Sequence, residues 1–338
     1  MDAPKCWYPE GRSRTLSQGT ESRITSEDKG PLVTVIINVH NGETHLPKAI
    51  ESVLAQSQQS FVLKIVNNAS TDSTQEVIEL AARQDSRVTF KKLQKKVGLF
   101  EARNIAVEDS FSEFIAFLDS DDIWRSDKLE IALRSMKETG ADIFYSNFVI
   151  RNLQKQSSVQ AYGCPLPSGN LLPFLTKNYP LAFSSLVFRR TALQKMSGPF
   201  NSKLFLIGDY DLVLRMAREA TFVYSPETTV TIQVHPSSLG KVQFRLREQD
   251  IKTWQSSHDM NPFLDKSETV DVIHLLAFDT FLLSTNIRSL SIRLPNKHLS
   301  IIILLRLVLT NSFRKVRHKI CIFSRRDSNF KSKLERPA

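Results

Sequence analysis

Four short apolar runs, Val33–Asn38, Phe61–Val66, Val88–Lys91 and Phe114–Leu118, are separated by segments of helical periodicity. The runs are rich in β-branched residues, which suit a pleated, buried surface and read as strands. After the first run, Leu46, Ala49, Ile50, Val53 and Leu54 recur at helical spacing, predicting an amphipathic helix over about 43–57. After the second, Ser73 is placed to cap a helix carrying Val77, Ile78 and Ala81. Ala102–Val107 reads as a third helix. A parallel strand pair needs a long crossover, and the usual crossover is a helix, so this alternation predicts a doubly wound α/β sheet. In such sheets ligands sit beyond the carboxyl ends of the strands. The loops at those ends, Val39–Glu43, Asn67–Asp72 and Asp119–Asp122, are all polar. They are expected to converge on one cleft.

The pattern continues less regularly. Asp142–Ile150, Ser184–Phe188 and Thr221–Tyr224 read as strands, and Asp209–Glu219 as a helix with Leu212, Val213, Met216 and Ala217 on its apolar side. From about Lys241 the periodicity is helical, with apolar segments at Val272–Leu283 and Leu299–Leu309. Residues 1–31 are polar and aperiodic and read as a flexible leader with no signal-like apolar core. The expected organisation is leader 1–31, an α/β domain over 32–240, and a helical C-terminal extension with a basic tail over 241–338. At 338 residues and 41% apolar, the chain can bury one large core and a smaller unit.

Charge is concentrated at one end. Residues Asn286–Ala338 hold 13 Lys and Arg against 2 acids, which accounts for the whole formal excess of +10. A basic block of this kind points to an anionic surface. Aromatics are sparse among these charges, which argues against specific nucleic-acid binding. Two readings of Leu299–Leu309 with Arg314–Lys319 stand. One is a cationic amphipathic segment lying on an anionic membrane; the other is a helix packed on the core with a solvated basic end. No run reaches the roughly 18–20 apolar residues that span a bilayer. Cys6, Cys164 and Cys321 are far apart and in no metal-like spacing. A reduced cytoplasmic location, with peripheral attachment to the inner face of the membrane through the tail, fits these features.

Phe114–Leu118 runs directly into Asp119-Ser120-Asp121-Asp122. Three carboxylates at a buried strand end repel one another unless a cation neutralises them. Mg²⁺ or Mn²⁺ prefers oxygen ligands and keeps positions open for phosphate. The plain alternative is that Asp121 or Asp122 caps a following helix, Trp124–Met136. By spacing alone Asp209 likewise reads as a helix N-cap.

The ordered set Val33-Thr-Val-Ile-Ile-Asn-Val-His-Asn-Gly-Glu43, Val66-Asn-Asn-Ala-Ser-Thr-Asp72, Gly98-Leu-Phe-Glu-Ala-Arg-Asn104, Phe117-Leu-Asp-Ser-Asp-Asp-Ile-Trp124, Phe188–Leu193, Gly198-Pro-Phe200 and Gly208-Asp-Tyr-Asp-Leu212 resembles glycosyltransferase family 2 over about 32–240. The resemblance implies the GT-A fold, a Rossmann-like, mostly parallel sheet flanked by helices. It implies an inverting, metal-dependent transferase of the bacterial cell-surface polysaccharide type. The donor would be a nucleotide sugar, with UDP-sugars favoured, and the acceptor a saccharide or lipid-linked hydroxyl. By position, Val39, His40, Asn41 and Glu43 would hold nucleobase and ribose. Asn67 stands where the family usually has an Asp that accepts the uracil N3–H, and Arg103 and Asn104 would flank the nucleotide. Asp119 and Ser120 would lie against the nucleotide sugar. Asp121, with Asp119 and His235, would hold Mn²⁺ or Mg²⁺, and Asp209 would be the catalytic base. Asn38 and His40 replace the family's usual Pro and Tyr. Gly208 replaces a common Glu, which would either enlarge the acceptor pocket or weaken the positioning of Asp209. Asn67 and Gly208 keep open a second reading, a non-catalytic nucleotide-sugar-binding protein of the same fold.

Overall fold

The computed structural model of the chain describes residues 30–196, 198–236, 244–260 and 264–273. The first half follows the alternation closely: β1 (Val33–Val39), α1 (Leu46–Leu54), β2 (Phe61–Asn67), α2 (Thr74–Gln84), β3 (Val88–Lys92), α3 (Leu99–Glu108) and β4 (Phe114–Phe117). Then come β5 (Ile123–Trp124), α4 (Lys128–Thr139), β6 (Ile143–Asn152), β7 (Ser157–Gln160), the short α5 (Leu172–Leu175), a 3₁₀ turn (Phe183–Ser185) and β8 (Val187–Arg189). α6 (Arg190–Gln194), α7 (Gly208–Met216), β9 (Phe222–Val234) and α8 (Phe244–Met260) complete the named elements.

The strands form one sheet in the order β3-β2-β1-β4-β8-β6-β9-β5, with β7 paired to β6. The ladder β3-β2-β1-β4 is parallel throughout. Beyond β4 the sheet is mixed: β8 is antiparallel to β4 and β6, β9 is parallel to β6, and β5 is antiparallel to β9. Successive strand residues face opposite sides, and both sides are buried. Val33, Val35, Ile37 and Val39 join one apolar cluster with α1, α2 and α4. Ile36, Ile115 and Phe117 join another with α3, α7 and α8. A sheet covered on both faces explains why these strands read as continuous apolar runs.

Several boundaries differ from the sequence reading for local physical reasons. The first helix begins at Leu46 with Pro47 in its first turn, because the Gly42–Glu43 turn is tied to the β2 loop. Ser73 does not cap α2 with its side chain; Thr74 N–H donates to Asp72 Oδ1 at 3.1 Å instead. Trp124 is not helical: β5 pairs Ile123 with Thr231 and Trp124 with Val230, and the helix starts only at Lys128. Neither Asp121 nor Asp122 caps it. Ser184 and Ser185 lie in the 3₁₀ turn rather than in a strand. The strand expected over Thr221–Tyr224 runs on to Val234, carried past Pro226 by bulged residues of its own that lie opposite Ser146–Phe148 of β6.

The helical pattern expected after Lys241 is present in α8 and over 266–273, where Ile251, Trp254, Leu264 and Val272 join the core beside α7. The leader, most of Val272–Leu283, Leu299–Leu309 and the basic tail lie outside the described residues. Among the described residues no helix is long and apolar enough to cross a membrane.

Candidate active site

The site is built where β1, β2 and β4 end. In-register pairing of Val39 with Asn67 brings the first two loops side by side, and side-chain to backbone bonds stitch them. His40 Nδ1 bonds Asn68 O at 2.9 Å, Asn41 N–H donates to Ser70 Oγ at 3.0 Å, and Thr71 N–H donates to Asn41 Oδ1 at 2.8 Å. Glu43 accepts Ser73 N–H at 2.9 Å. Asn41 sits at φ 55°, the left-handed region that Asn tolerates better than most residues. Gly42 is required by space: a Cβ there would lie 2.4 Å from Val39 Cγ2 and 3.8 Å from Ser120 Oγ. The β1 loop therefore abuts the acidic loop.

Asn67 is fully buried, with Oδ1 accepting Ser70 N–H at 3.0 Å and Nδ2 donating to Gln75 Oε1 at 2.7 Å. An amide oxygen has two lone pairs, so Oδ1 keeps capacity for one more donor. Asn104 is committed to the Phe200 backbone, with Nδ2 on Phe200 O at 2.8 Å and Oδ1 on Phe200 N at 2.9 Å.

Arg103 is buried among the rings of Phe100, Phe117, Phe183 and Phe200, 4.4 Å from the Phe183 centroid. Its Nη2 donates to Asp119 Oδ1 at 2.6 Å. The Asp119 side chain stays 44% exposed. Desolvation raises its pKa, Arg103 opposes that, and the nearby Asp121 and Asp209 carboxylates raise it further. That mutual influence puts Asp119, Asp121 and Asp209 in one electrostatic neighbourhood.

Asp121 and His235 meet directly, Oδ2 to Nε2 at 2.9 Å. The long β9 makes this contact: Trp124 pairs with Val230, so the strand's end reaches back over the acidic loop. Gln233 Nε2 also donates to Asp121 O. His45, at the head of α1, stacks on His235 with centroids 4.4 Å apart. Burial and then His235 lower the His45 pKa, while Asp121 pulls it up. Asp122 serves the framework, accepting Ser184 Oγ–H at 2.7 Å and Gln233 N–H at 3.1 Å. Burial and its two acidic neighbours push its pKa well up. Ser184 Oγ accepts Asp119 N–H at 3.1 Å, and Trp124 Nε1 donates to Ser184 O at 2.8 Å. The 3₁₀ turn thus fixes the acidic loop from behind.

Asp209 opens α7, with Oδ1 accepting Tyr210 N–H at 2.8 Å. Beside it, a Cβ on Gly208 would fall 2.5 Å from Phe100 Cδ2, so the space a larger residue would need is filled by the Phe100 ring. His45, Gln233 and Ser184 were not singled out from sequence. They carry no motif, and only the β9 register and the 3₁₀ turn bring them to the site.

Among the described residues no three His, Cys, Asp or Glu side chains enclose a ready-made metal position. The Asp121–His235 pair is a partial donor set. Mg²⁺ completes such a set with water and substrate phosphate oxygens rather than with an all-protein cage, so the residues present suit an ion brought together with a diphosphate.

Residues 34–196 match the model for Glycosyl transferase family 2. Over 191 residues the chain is 32% identical to the UDP-Glc:alpha-D-GlcNAc-diphosphoundecaprenol beta-1,3-glucosyltransferase WfgD of Escherichia coli, covering 56% of this chain and 70% of that enzyme. The chain belongs to glycosyltransferase family 2. Its fold is that of GT-A relatives. The Staphylococcus aureus TarS fragment 1–349 with UDP-GlcNAc superposes with a TM-score of 0.57 at 17% identity, covering 74% of this chain and 72% of that one. The mannosyltransferase PcManGT of Pyrobaculum calidifontis, in complex with GDP-Man and Mn²⁺, gives 0.57 at 15% identity over 86% and 84%. Of three other curated relatives, two glycosyltransferases of Rickettsia and the putative teichuronic acid biosynthesis glycosyltransferase TuaG of Bacillus subtilis, this chain spans only 28%, 31% and 47% of the length.

Proposed function

We propose that this family 2 member is an inverting glycosyltransferase that moves a sugar from a nucleotide-diphosphate sugar, UDP-sugars favoured, to a saccharide or lipid-linked hydroxyl. The observation that carries the reading is the Asp121–His235 contact beside Asp119, with Asp209 near enough to perturb Asp119. Breaking a sugar–diphosphate bond builds negative charge on the leaving phosphate. Asp121 and His235, with Asp119 beside them, would hold Mn²⁺ or Mg²⁺, which when bound supplies Lewis-acid stabilisation of that charge. Arg103 braces Asp119 from within the core. Asp209 stands in the first turn of α7, the positive end of the helix. As a carboxylate, Asp209 would take the acceptor hydroxyl's proton as attack proceeds from the face opposite the leaving group, which inverts the anomeric centre.

The β1 and β2 loops, with His40, Asn41 and Asn67, would hold the nucleoside. The UDP preference draws support from relatives: WfgD is named for UDP-Glc, and the TarS fragment holds UDP-GlcNAc. WfgD's name also carries a diphosphoundecaprenol-linked acceptor, which favours a lipid-linked acceptor here and a cytoplasmic enzyme held at the membrane by its basic tail.

A melting panel of nucleotides with and without Mn²⁺ tests this. Ligand at a hundred times its Kd should add about 2.7 kcal/mol of stability, with UDP plus Mn²⁺ giving the largest shift. Asp209→Asn should retain that shift and lose sugar transfer. An Asp209→Asn variant with undiminished transfer would remove the assigned base, and a flat panel would remove the donor class.

A further inference from the structure

Asp250 lies on α8, outside the span matched by the family model, and is fully buried. Its carboxylate gathers three consecutive backbone N–H groups. Phe205 N donates at 2.9 Å to Oδ1 and 3.0 Å to Oδ2, Leu206 N at 2.6 Å and Ile207 N at 3.1 Å to Oδ2. Charge-assisted bonds of this kind are roughly twice as strong as neutral ones. One turn further along α8, Trp254 Nε1 donates to Asp211 Oδ1 at 3.1 Å. Residues four apart share a helix face, so one face of α8 grips α7 immediately before and immediately after Asp209. The local sequence offers little anchorage of its own. Ile207, at the N-cap, makes no side-chain cap, and Gly208 has no side chain.

We propose that Asp250 is a positioning residue for sugar transfer. By fixing Phe205–Ile207 it sets where α7 starts, and so where Asp209 stands relative to Asp119 and Asp121. This rests on the reading of Asp209 as the base. Asp250 itself touches no reacting atom. A base must meet the acceptor hydroxyl within hydrogen-bond reach, and a misplacement of about 1 Å can cost about a hundredfold in rate. Asp250→Asn keeps the side chain's shape but turns one acceptor atom into a donor facing N–H groups.

The test follows UDP release from UDP-glucose and UDP-N-acetylglucosamine by the whole chain with Mn²⁺, alongside UDP affinity and amide exchange. In the unaltered chain the Leu206 and Ile207 amides should exchange as slowly as those of α7, and Asp250→Asn should free them. The variant's kcat should fall about ten- to a hundredfold, while donor KM and UDP affinity stay within about twofold. A purely structural Asp250 would instead lower the melting temperature and leave kcat of the folded protein unchanged, overturning the inference. Loop-rate exchange at Leu206 and Ile207 in the unaltered chain would also overturn it. If Asp250→Asn does not fold, Trp254→Phe carries the kinetic test, with a few-fold loss of kcat expected and none counting against. Asp209→Asn separates the two claims. If it is inactive while folded Asp250→Asn is fully active, only the positioning role fails. If Asp209→Asn is active, the base reading fails and this inference goes with it.

Discussion

Replacing Lys128 with methionine should make the protein more stable at neutral pH and remove a pH dependence. Lys128 begins α4, is fully buried, donates to Ser185 O at 2.9 Å, and faces the rings of Trp124 and Phe144 at 4.9 and 5.4 Å. Burial lowers its pKa from 10.5 to about 7. In the unfolded chain the amine regains its ordinary value, so between those limits the unfolded state binds a proton that the folded state does not. Stability therefore rises with pH across that window. Each unit is worth about 1.4 kcal/mol, which makes the penalty at neutral pH about 4 kcal/mol, vanishing once the unfolded lysine is also neutral. Methionine removes the penalty but leaves the Ser185 carbonyl without its donor, at about 1–3 kcal/mol. The expected net gain is about 1–3 kcal/mol at pH 7, falling to zero or below near pH 10.5. Urea unfolding of both proteins across this range measures the difference, in which other titrating groups cancel. A difference independent of pH, or a Met variant less stable at pH 7, would mean that the rings and the carbonyl hold the amine charged, and would refute the argument.

Two glycine substitutions test the packing of the cleft. Gly42→Ala drives a Cβ to 2.4 Å from Val39 Cγ2, a stiff and buried partner. It should cost about 1–3 kcal/mol in urea unfolding and weaken nucleotide binding, because the His40–Glu43 turn must shift. Gly208→Ala meets Phe100 Cδ2 at 2.5 Å and should cost a similar 1–3 kcal/mol; a variant as stable as the parent would show that the Phe100 ring is free to move aside.

The parallel half of the sheet was legible because its signals are local. Val33–Asn38 and Phe114–Leu118 are buried on both faces and so appear as uninterrupted apolar runs, and α1 shows its apolar stripe directly. The convergence of three polar loops followed from that topology. What escaped was set by long-range pairing. β5 is two residues long and looks like the start of a helix, while β9 crosses Pro226 in a register that only β6 supports. The strand pattern over Thr221–Tyr224 stops short of His235, so only the family resemblance groups His235 with Asp121, and nothing in the sequence sets it against His45. Asp250 was invisible for the same reason: a lone acid on a helix carries no motif, and its role exists only once α8 has docked on α7.

The central claim is that the carboxylates ending β4 bind a divalent ion together with a diphosphate. Calorimetric titration of UDP into the whole 338-residue chain, with MnCl₂ or with EDTA, measures it most directly. The account predicts binding in Mn²⁺ that weakens at least about tenfold when metal is removed or in Asp121→Asn, a loss of about 1.4 kcal/mol or more. Equal affinity for UDP under all three conditions would contradict it.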